Sequence, residues 1–177
     1  MATIHTIGHS VLEPDEFVRL LHDHGAELLV DVRRYPASRR VPHFNAGVLA
    51  ETLESAGIGY RHAEDLGGRR EPLPDSRNGG WENKQFRGYA DYMATREFVD
   101  GLYALEADMR ERRTAVMCAE ADWRRCHRRL LADVLVARHH EVVHMGAAGD
   151  EPHEQTPFAM VIHDGISYPP VQGSLGV

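Results

Sequence analysis

Short apolar runs alternate with amphipathic segments along most of the chain. The runs predict five strands, at residues 3–7, 28–32, 58–62, 114–118 and 141–145. The second run, Leu-Leu-Val-Asp-Val, is almost wholly apolar, which is typical of a strand covered on both faces. Strand and helix patterns follow one another in turn. This order predicts a single α/β domain, residues 1–177, with a mostly parallel sheet and helices on both faces.

Start and stop signals mark the predicted helices. Pro14 suits the first position of a helix that Gly25 ends. Asn45 and Thr95 are predicted N-caps of two further helices. Apolar residues at helical spacing predict a last helix over 125–138.

Residues 65–88 interrupt this alternation, and a helix resumes only at 89–93. The segment is rich in glycine and arginine and contains Trp81 and Phe86. Loops of this length inside compact domains tend to be functional or disordered, and large aromatic residues argue against disorder. We predict an irregular insertion over the carboxyl edge of the sheet that acts as a lid. A packed loop that merely covers the edge is the alternative.

The final segment, residues 146–177, is an extended tail rich in proline and glycine. Two short strand-like runs, 159–163 and 166–168, flank an Asp164-Gly165 pair. Asp-Gly suits the tight turns that join paired strands, so the tail is predicted to contain a hairpin.

Composition narrows the class of protein. The chain has 177 residues, 42% hydrophobic and 27% charged, as globular domains do. No apolar run is long enough for a membrane helix, and the N-terminus does not read as a signal peptide, so we expect no membrane partner and a cytoplasmic location. The net charge of −7 argues against non-specific nucleic-acid coating, which requires phosphate neutralisation.

Polar residues follow the predicted strands at the edge where parallel sheets bind ligands. His9 follows the first strand, Asp31 and Arg33 end the second, and Cys118 and Glu120 end the fourth. Side chains of these types have no role in an apolar core. Their convergence predicts a functional site at the carboxyl edge of the sheet.

Cys118 is the candidate nucleophile, because a thiol near a helix N-terminus and arginines favours the reactive thiolate. An inert buried cysteine is the alternative. Cys118 and Arg124 also fit the C-x5-R spacing of cysteine phosphatases, but Glu120 and Asp122 between them would repel a phosphate.

Cys126 and His127 are expected to approach Cys118 from the following helix. Together they could form a redox pair, a hydrogen-bonded cluster, or a metal site with help from His9, and the sequence leaves the metal and any cofactor unassigned.

The Asp31–Arg33 alternation places both charges on one face, where the carboxylate can fix the guanidinium for a planar anion. Arg128 is a second candidate for holding the anion. Ser38 lies in a turn and could donate to a ligand or stabilise the turn itself. Asp31 or Glu120 would serve as acid or base.

Several of these residues belong to motifs that resemble a known family, the bacterial "domain of unknown function 488" family. The motifs are Thr6-Ile7-Gly8-His9-Ser10, Leu29-Val30-Asp31-Val32-Arg33 with Pro36 and Ser38, Leu66-Gly67-Gly68, Phe86-Arg87-Gly88-Tyr89, Met117-Cys118-Ala119-Glu120 and Cys126-His127-Arg128. The tail, from Glu151-Pro152-His153 to Tyr168-Pro169, is similar to the longer members. The resemblance implies a fold and a site at these positions, but no established reaction.

Two classes of function remain. The first is an enzyme, a cysteine-dependent hydrolase or transferase, that acts on a small anionic or nucleotide-like ligand. The second is a nucleic-acid-binding module that uses arginine clusters and the aromatic residues of the insertion. The acidic net charge favours the enzyme. The sequence does not indicate an oligomeric state.

Overall fold

The computed structural model describes residues 1–163 and 165–170. The strands of the main sheet are β1 Thr3–Gly8, β2 Leu28–Asp31, β3 Gly59–His62, β4 Thr114–Cys118, β5 Glu141–His144 and β6 Glu151–Pro152. They form a six-stranded sheet in the order β3-β2-β4-β1-β5-β6. All pairs are parallel except β5 with β6, which is antiparallel at the edge. The order places β2, β4 and β1 side by side.

Five helices cover the sheet: α1 Pro14–Asp23, α2 Ala46–Ser55, α3 Lys84–Tyr92, α4 Arg96–Glu111 and α5 Arg128–Ala137. Side chains of α1 and α2 pack with Leu29, Ala115 and Met117 on one face. Side chains of α3, α4 and α5 pack with Val30 and Val116 on the other. Alternate residues of the central strands thus enter opposite cores, which explains why these strands are apolar throughout. The prediction of a mostly parallel sheet with helices on both faces is confirmed.

The predicted helix ends agree with the structure at most positions. Pro14 begins α1, Gly25 follows it with a φ of +63°, and the Thr95 hydroxyl accepts a hydrogen bond from the Phe98 N–H. Asn45 occupies the cap position of α2, but its side chain instead accepts from the Ser38 N–H at 2.6 Å. It therefore stabilises the loop after β2 rather than the helix.

The prediction that a helix resumes only at 89–93 is wrong, because α3 begins five residues earlier. The Asn83 side chain caps α3 by accepting from the backbone N–H groups of Gln85 and Phe86. Gly88 gave a misleading signal for irregular structure. A Cβ at Gly88 would lie 1.9 Å from the Arg70 carbonyl oxygen, so the glycine lets the helix pack against the loop.

The last helix also differs from its predicted span of 125–138. Residues Trp123–Arg125 form a separate 3-10 turn, which begins where the Asp122 side chain accepts from the Arg124 N–H. α5 follows at Arg128. Cys126 and His127 consequently lie just before the helix rather than in its first turn.

Most of the predicted lid is tied to α3. The Asp91 carboxylate accepts hydrogen bonds from the Leu73 N–H, the Ser76 hydroxyl and the Asn78 side-chain amide. Trp81 is buried and packs edge-on against Phe86. These contacts favour the packed-loop alternative for 71–83, and the lid stays a prediction.

The tail forms the predicted pair of strands, β7 Met160–Ile162 and β8 Gly165–Ser167, which are antiparallel. Asp164, the first residue of the predicted turn, lies outside the described residues. None of the described helices combines the length and the apolar character needed to cross a bilayer.

Candidate functional site

A cleft of about 690 Å³ opens at the carboxyl ends of β1, β2 and β4. Seven of the nine predicted site residues line it: His9, Arg33, Ser38, Cys118, Glu120, Cys126 and His127. Asp31 and Arg128 lie behind its wall. The cleft forms where the three strands are neighbours in the sheet.

Arg33 is fixed in the cleft wall by Asp31. Arg33 Nε donates to Asp31 Oδ1 at 2.9 Å and Nη2 donates to Oδ2 at 2.7 Å, a bidentate pair. Nη2 also donates to the Phe44 carbonyl oxygen at 2.7 Å. Tyr60 donates its hydroxyl to Asp31 as well, so both carboxylate oxygens are occupied and Asp31 is fully buried. Asp31 therefore acts as the anchor of Arg33.

His9 supports Arg33 from the other side as a neutral imidazole. Burial lowers the pKa of His9 to about 4. Its Nδ1 lies 3.0 Å from the Ser10 carbonyl oxygen, which can only accept, so Nδ1 carries the hydrogen. Nε2 then accepts from Arg33 Nη1 at 3.2 Å. Of the five N–H groups of the guanidinium, four are used, and one on Nη1 has no hydrogen-bond partner among the described residues.

Cys118, Cys126 and His127 form a compact cluster on the cleft wall, referred to below as the cysteine–histidine cluster. His127 Nδ1 lies 3.8 Å from Cys118 Sγ and 3.7 Å from Cys126 Sγ. His127 Nε2 lies 3.1 Å from the Val32 carbonyl oxygen and therefore carries a hydrogen. In the neutral ring, the Nδ1 lone pair faces both sulfurs. The three ligand atoms lie within 4.8 Å of one another, so the cluster is the candidate metal site of the described residues.

The two thiols differ in pKa, and Cys118, the candidate nucleophile, is the less acidic of the two. Its role as a nucleophile stays a prediction. The hydrogen bond to Cys126, together with burial, raises the pKa of Cys118 well above its ordinary value. Burial opposes charge on Cys126, but the hydrogen bond from Cys118 and the proximity of His127 and Arg128 outweigh it and lower the pKa of Cys126. The pKa of Cys126 therefore lies below that of Cys118.

Arg128 is a buried support for the cleft rather than part of its surface, with 1% of its surface exposed. Its guanidinium donates to the Thr6 hydroxyl at 3.1 Å and to the carbonyl oxygens of Glu120 and Ala121. These bonds hold the loop after β4 in place.

The side chains of Ser38 and Glu120 both line the cleft, but they differ in whether they already have hydrogen-bond partners. The Ser38 hydroxyl accepts from the backbone N–H groups of Arg40 and Val41, which supports the turn-stabilising interpretation of this residue. Glu120 is exposed, and no described side chain forms a hydrogen bond or an ion pair with its carboxylate.

The cleft has a rim of arginines that the predicted set of site residues did not include. Four further arginines line it: Arg34, Arg40, Arg69 and Arg125. None of them forms an ion pair with a carboxylate of the described residues. They come from three separate loops, so no local pattern brings them together. Arg34, directly after Arg33, and Arg125, directly before Cys126, are the two that adjoin predicted site residues in the sequence.

Two alternative interpretations lose their structural support. Arg124 does not turn toward Cys118: it lies 2.6 Å from Glu151 and stacks on the Trp123 ring, so the C-x5-R spacing forms no phosphate loop. Trp81, expected to present a stacking surface for nucleic acid, is buried between Phe86 and Phe158.

Comparison with known proteins agrees with the resemblance of the motifs. The family model "Domain of unknown function DUF488" matches residues 13–135, which include β2, β4 and the cysteine–histidine cluster. No curated protein and no solved structure matches the chain. Because the family model covers well over half of the chain, this protein belongs to the DUF488 family.

Proposed function

We propose that the protein is an enzyme that binds a small anionic or nucleotide-like substrate in the strand-end cleft. The observation that carries the proposal is the meeting of five arginines with the cysteine–histidine cluster in one cleft. Active sites are typically concave pockets in which a few charged and titratable groups converge.

The cleft wall is rich in positive charge, whereas the chain as a whole has a negative net charge. The chain carries −7, yet the described cleft wall contains five arginines and a single carboxylate, that of Glu120. Arg33 is paired with Asp31, and Arg34 donates one N–H to the Arg69 carbonyl oxygen. The four arginines other than Arg33 form no ion pair among the described residues, so their remaining N–H groups are available to an anion. The guanidinium fork matches phosphate and carboxylate geometry. A substrate bearing one or more such groups therefore fits this surface.

Arg33 is the most rigid of these groups. Asp31, the Phe44 carbonyl and His9 fix its plane, and its remaining Nη1 N–H is left for the substrate. Fixing a donor before binding lowers the entropy that binding costs. Asp31 and His9 are thus positioning residues. Glu120 is the carboxylate available for proton transfer, because Asp31 is fully occupied.

The size of the cleft favours a small molecule over nucleic acid. Its volume of about 690 Å³ lies in the range of small-molecule sites. Nucleic-acid modules instead present an extended basic stripe with exposed aromatic residues. No observation on the described residues favours that second function.

A thermal-shift screen with inorganic phosphate and nucleoside phosphates tests the proposal. A ligand at a hundredfold excess over its Kd stabilises the folded state by about 2.7 kcal/mol, which raises the Tm by roughly 5–10 °C for a chain of this size. We expect Arg40→Ala and Arg125→Ala to reduce the shift. Arg110→Ala, an exposed arginine on α4, is the charge-matched control and should keep it. No shift with any phosphate, or equal shifts in all variants, would refute the proposal.

A further inference from the structure

The cysteine–histidine cluster also has the geometry of a zinc site. Zinc in proteins is tetrahedral, with Zn–S near 2.3 Å and Zn–N near 2.05 Å, which places sulfur and nitrogen ligands about 3.6 Å apart. The two S···N distances are 3.7 and 3.8 Å. These values lie within the range of hydrogen bonds to sulfur, and they are also close to the edges of a zinc tetrahedron.

Each of the three donors has its own support. His127 Nε2 donates to the Val32 carbonyl, which fixes the ring so that Nδ1 faces the sulfurs. Histidines that bind metals commonly donate their second N–H to a carbonyl or carboxylate in this way. The Arg128 N–H donates to Cys126 Sγ at 3.5 Å. The Glu120 N–H faces Cys118 Sγ. A backbone N–H therefore lies beside each of the two sulfurs.

A glycine keeps the space beside the histidine open. A Cβ at Gly68 would lie 2.8 Å from His127 Nδ1, closer than any side chain can approach without displacing the ring. Gly68 has an ordinary negative φ, so its backbone does not require glycine. The absence of a side chain at this position lets the backbone pack beside the ring and keeps the space next to Nδ1 free of a Cβ.

We propose that Cys118, Cys126 and His127 bind a zinc ion whose fourth position opens into the cleft. All three residues line the cleft wall, and no fourth cysteine, histidine or carboxylate of the described residues completes the set. Two thiolates balance the charge of Zn²⁺. Sites with three protein ligands and one open position are the catalytic kind, whereas structural sites have four. The ion would lie in the same cleft as the arginines, so this inference deepens the proposed function.

Equilibrium dialysis of the reduced, chelator-treated protein against Zn²⁺ tests the proposal. We expect one zinc per chain, and Co²⁺ in its place should give the thiolate charge-transfer and tetrahedral d–d absorption bands. Cys126→Ser and His127→Gln should lose the tight site. Gly68→Ala, which keeps all three ligands, should weaken zinc binding roughly tenfold or more, as disturbance of a supporting shell does.

Gly47→Ala is the matched control, since a Cβ there meets nothing within 4 Å. It should bind zinc as the wild type does. Failure of the wild type to take up zinc, or equal zinc binding by the wild type, Cys126→Ser and His127→Gln, would overturn the inference. Phosphate binding by the zinc-free protein separates the two proposals: if it persists while zinc binding fails, only the zinc site is refuted. Zinc binding without any phosphate shift would refute the anion site instead.

Discussion

Two buried polar clusters contact Arg128, and they differ in whether they line the strand-end cleft. One is the cysteine–histidine cluster, whose S···N distances are 3.7 and 3.8 Å. The other, here called the closed network, consists of Thr6, His144, His153, Asp133 and Tyr168. Its consecutive hydrogen bonds measure 2.7, 3.0, 3.0 and 2.8 Å. Arg128 reaches both, through its guanidinium to Thr6 and its N–H to Cys126.

The difference indicates that the closed network has a structural role, whereas the cysteine–histidine cluster has groups that can bind a ligand. In the closed network, each donor meets an acceptor, and Asp133 alone accepts from His153, Tyr168 and the Thr156 N–H. His153, Thr156 and Tyr168 belong to the tail, so the network attaches the tail to α5 and the sheet. The cysteine–histidine cluster instead lines the cleft, and its two sulfurs share a single acceptor, the lone pair of His127 Nδ1. Groups that share one acceptor in this way are available to a ligand.

The largest effect should come from Asp133→Ala. This change leaves three buried donors without an acceptor, which we expect to lower the free energy of unfolding by about 3–5 kcal/mol. Chemical denaturation measures it. Asp100→Ala removes a carboxylate from an exposed pair with Arg96 and serves as the control, with an expected change below about 0.5 kcal/mol. If Asp133→Ala costs no more than the control, the closed network does not stabilise the fold.

Acid should destabilise the protein through two buried histidines, His9 in the cleft wall and His144 in the closed network. Burial lowers the pKa of His9 to about 4 and that of His144 to about 3, from 6.5 in an exposed residue. The unfolded chain therefore binds more protons between these values, and the free energy of unfolding falls as pH falls below 6.5. Each histidine contributes a slope of up to about 1.4 kcal/mol per pH unit. Denaturation curves at several pH values measure the slope, which His144→Gln should reduce. An unchanged slope in that variant would contradict this role.

Alkylation distinguishes the two cysteines. In metal-free protein, we expect iodoacetamide to label Cys126 before Cys118, because the pKa of Cys126 is lowered and that of Cys118 is raised. One unit of pKa difference changes the thiolate fraction about tenfold. Mass spectrometry after graded labelling gives the order. Faster labelling of Cys118 would instead support the prediction that Cys118 is the nucleophile. Labelling only after unfolding would mean that neither thiol is reactive.

The smallest effect concerns the predicted lid. Asp91 anchors 73–78, so we expect those amides to exchange slowly with or without ligand. Gly68 and Arg69 line the cleft, and any ligand-dependent protection should be confined to 67–70. Hydrogen exchange with and without phosphate measures this. Protection unchanged by phosphate throughout 65–88 would leave a packed loop and no lid.

The sequence predicted the fold better than it predicted the details of the site. Strands buried on both faces are apolar throughout, so they can be recognised from their sequence. The ends of β1, β2 and β4 meet because parallel strands end at the same edge of a sheet. Gly88 wrongly suggested irregular structure. A glycine occurs there because the helix packs closely against Arg70, which is distant in sequence. The role of Arg128 and the meeting of the four rim arginines depend on loop conformations that local patterns do not encode.

Calorimetric titration with inorganic phosphate tests the central claim, that the cleft binds small anions, most directly. The account predicts saturable binding at one site, weakened by salt. The Arg40→Ala/Arg125→Ala double variant should bind at least about tenfold more weakly, since hydrogen bonds to charged groups contribute about 1.5–3 kcal/mol each. Arg110→Ala should bind as the wild type does. Equal affinities in all three proteins, or no saturable binding at all, would contradict the account.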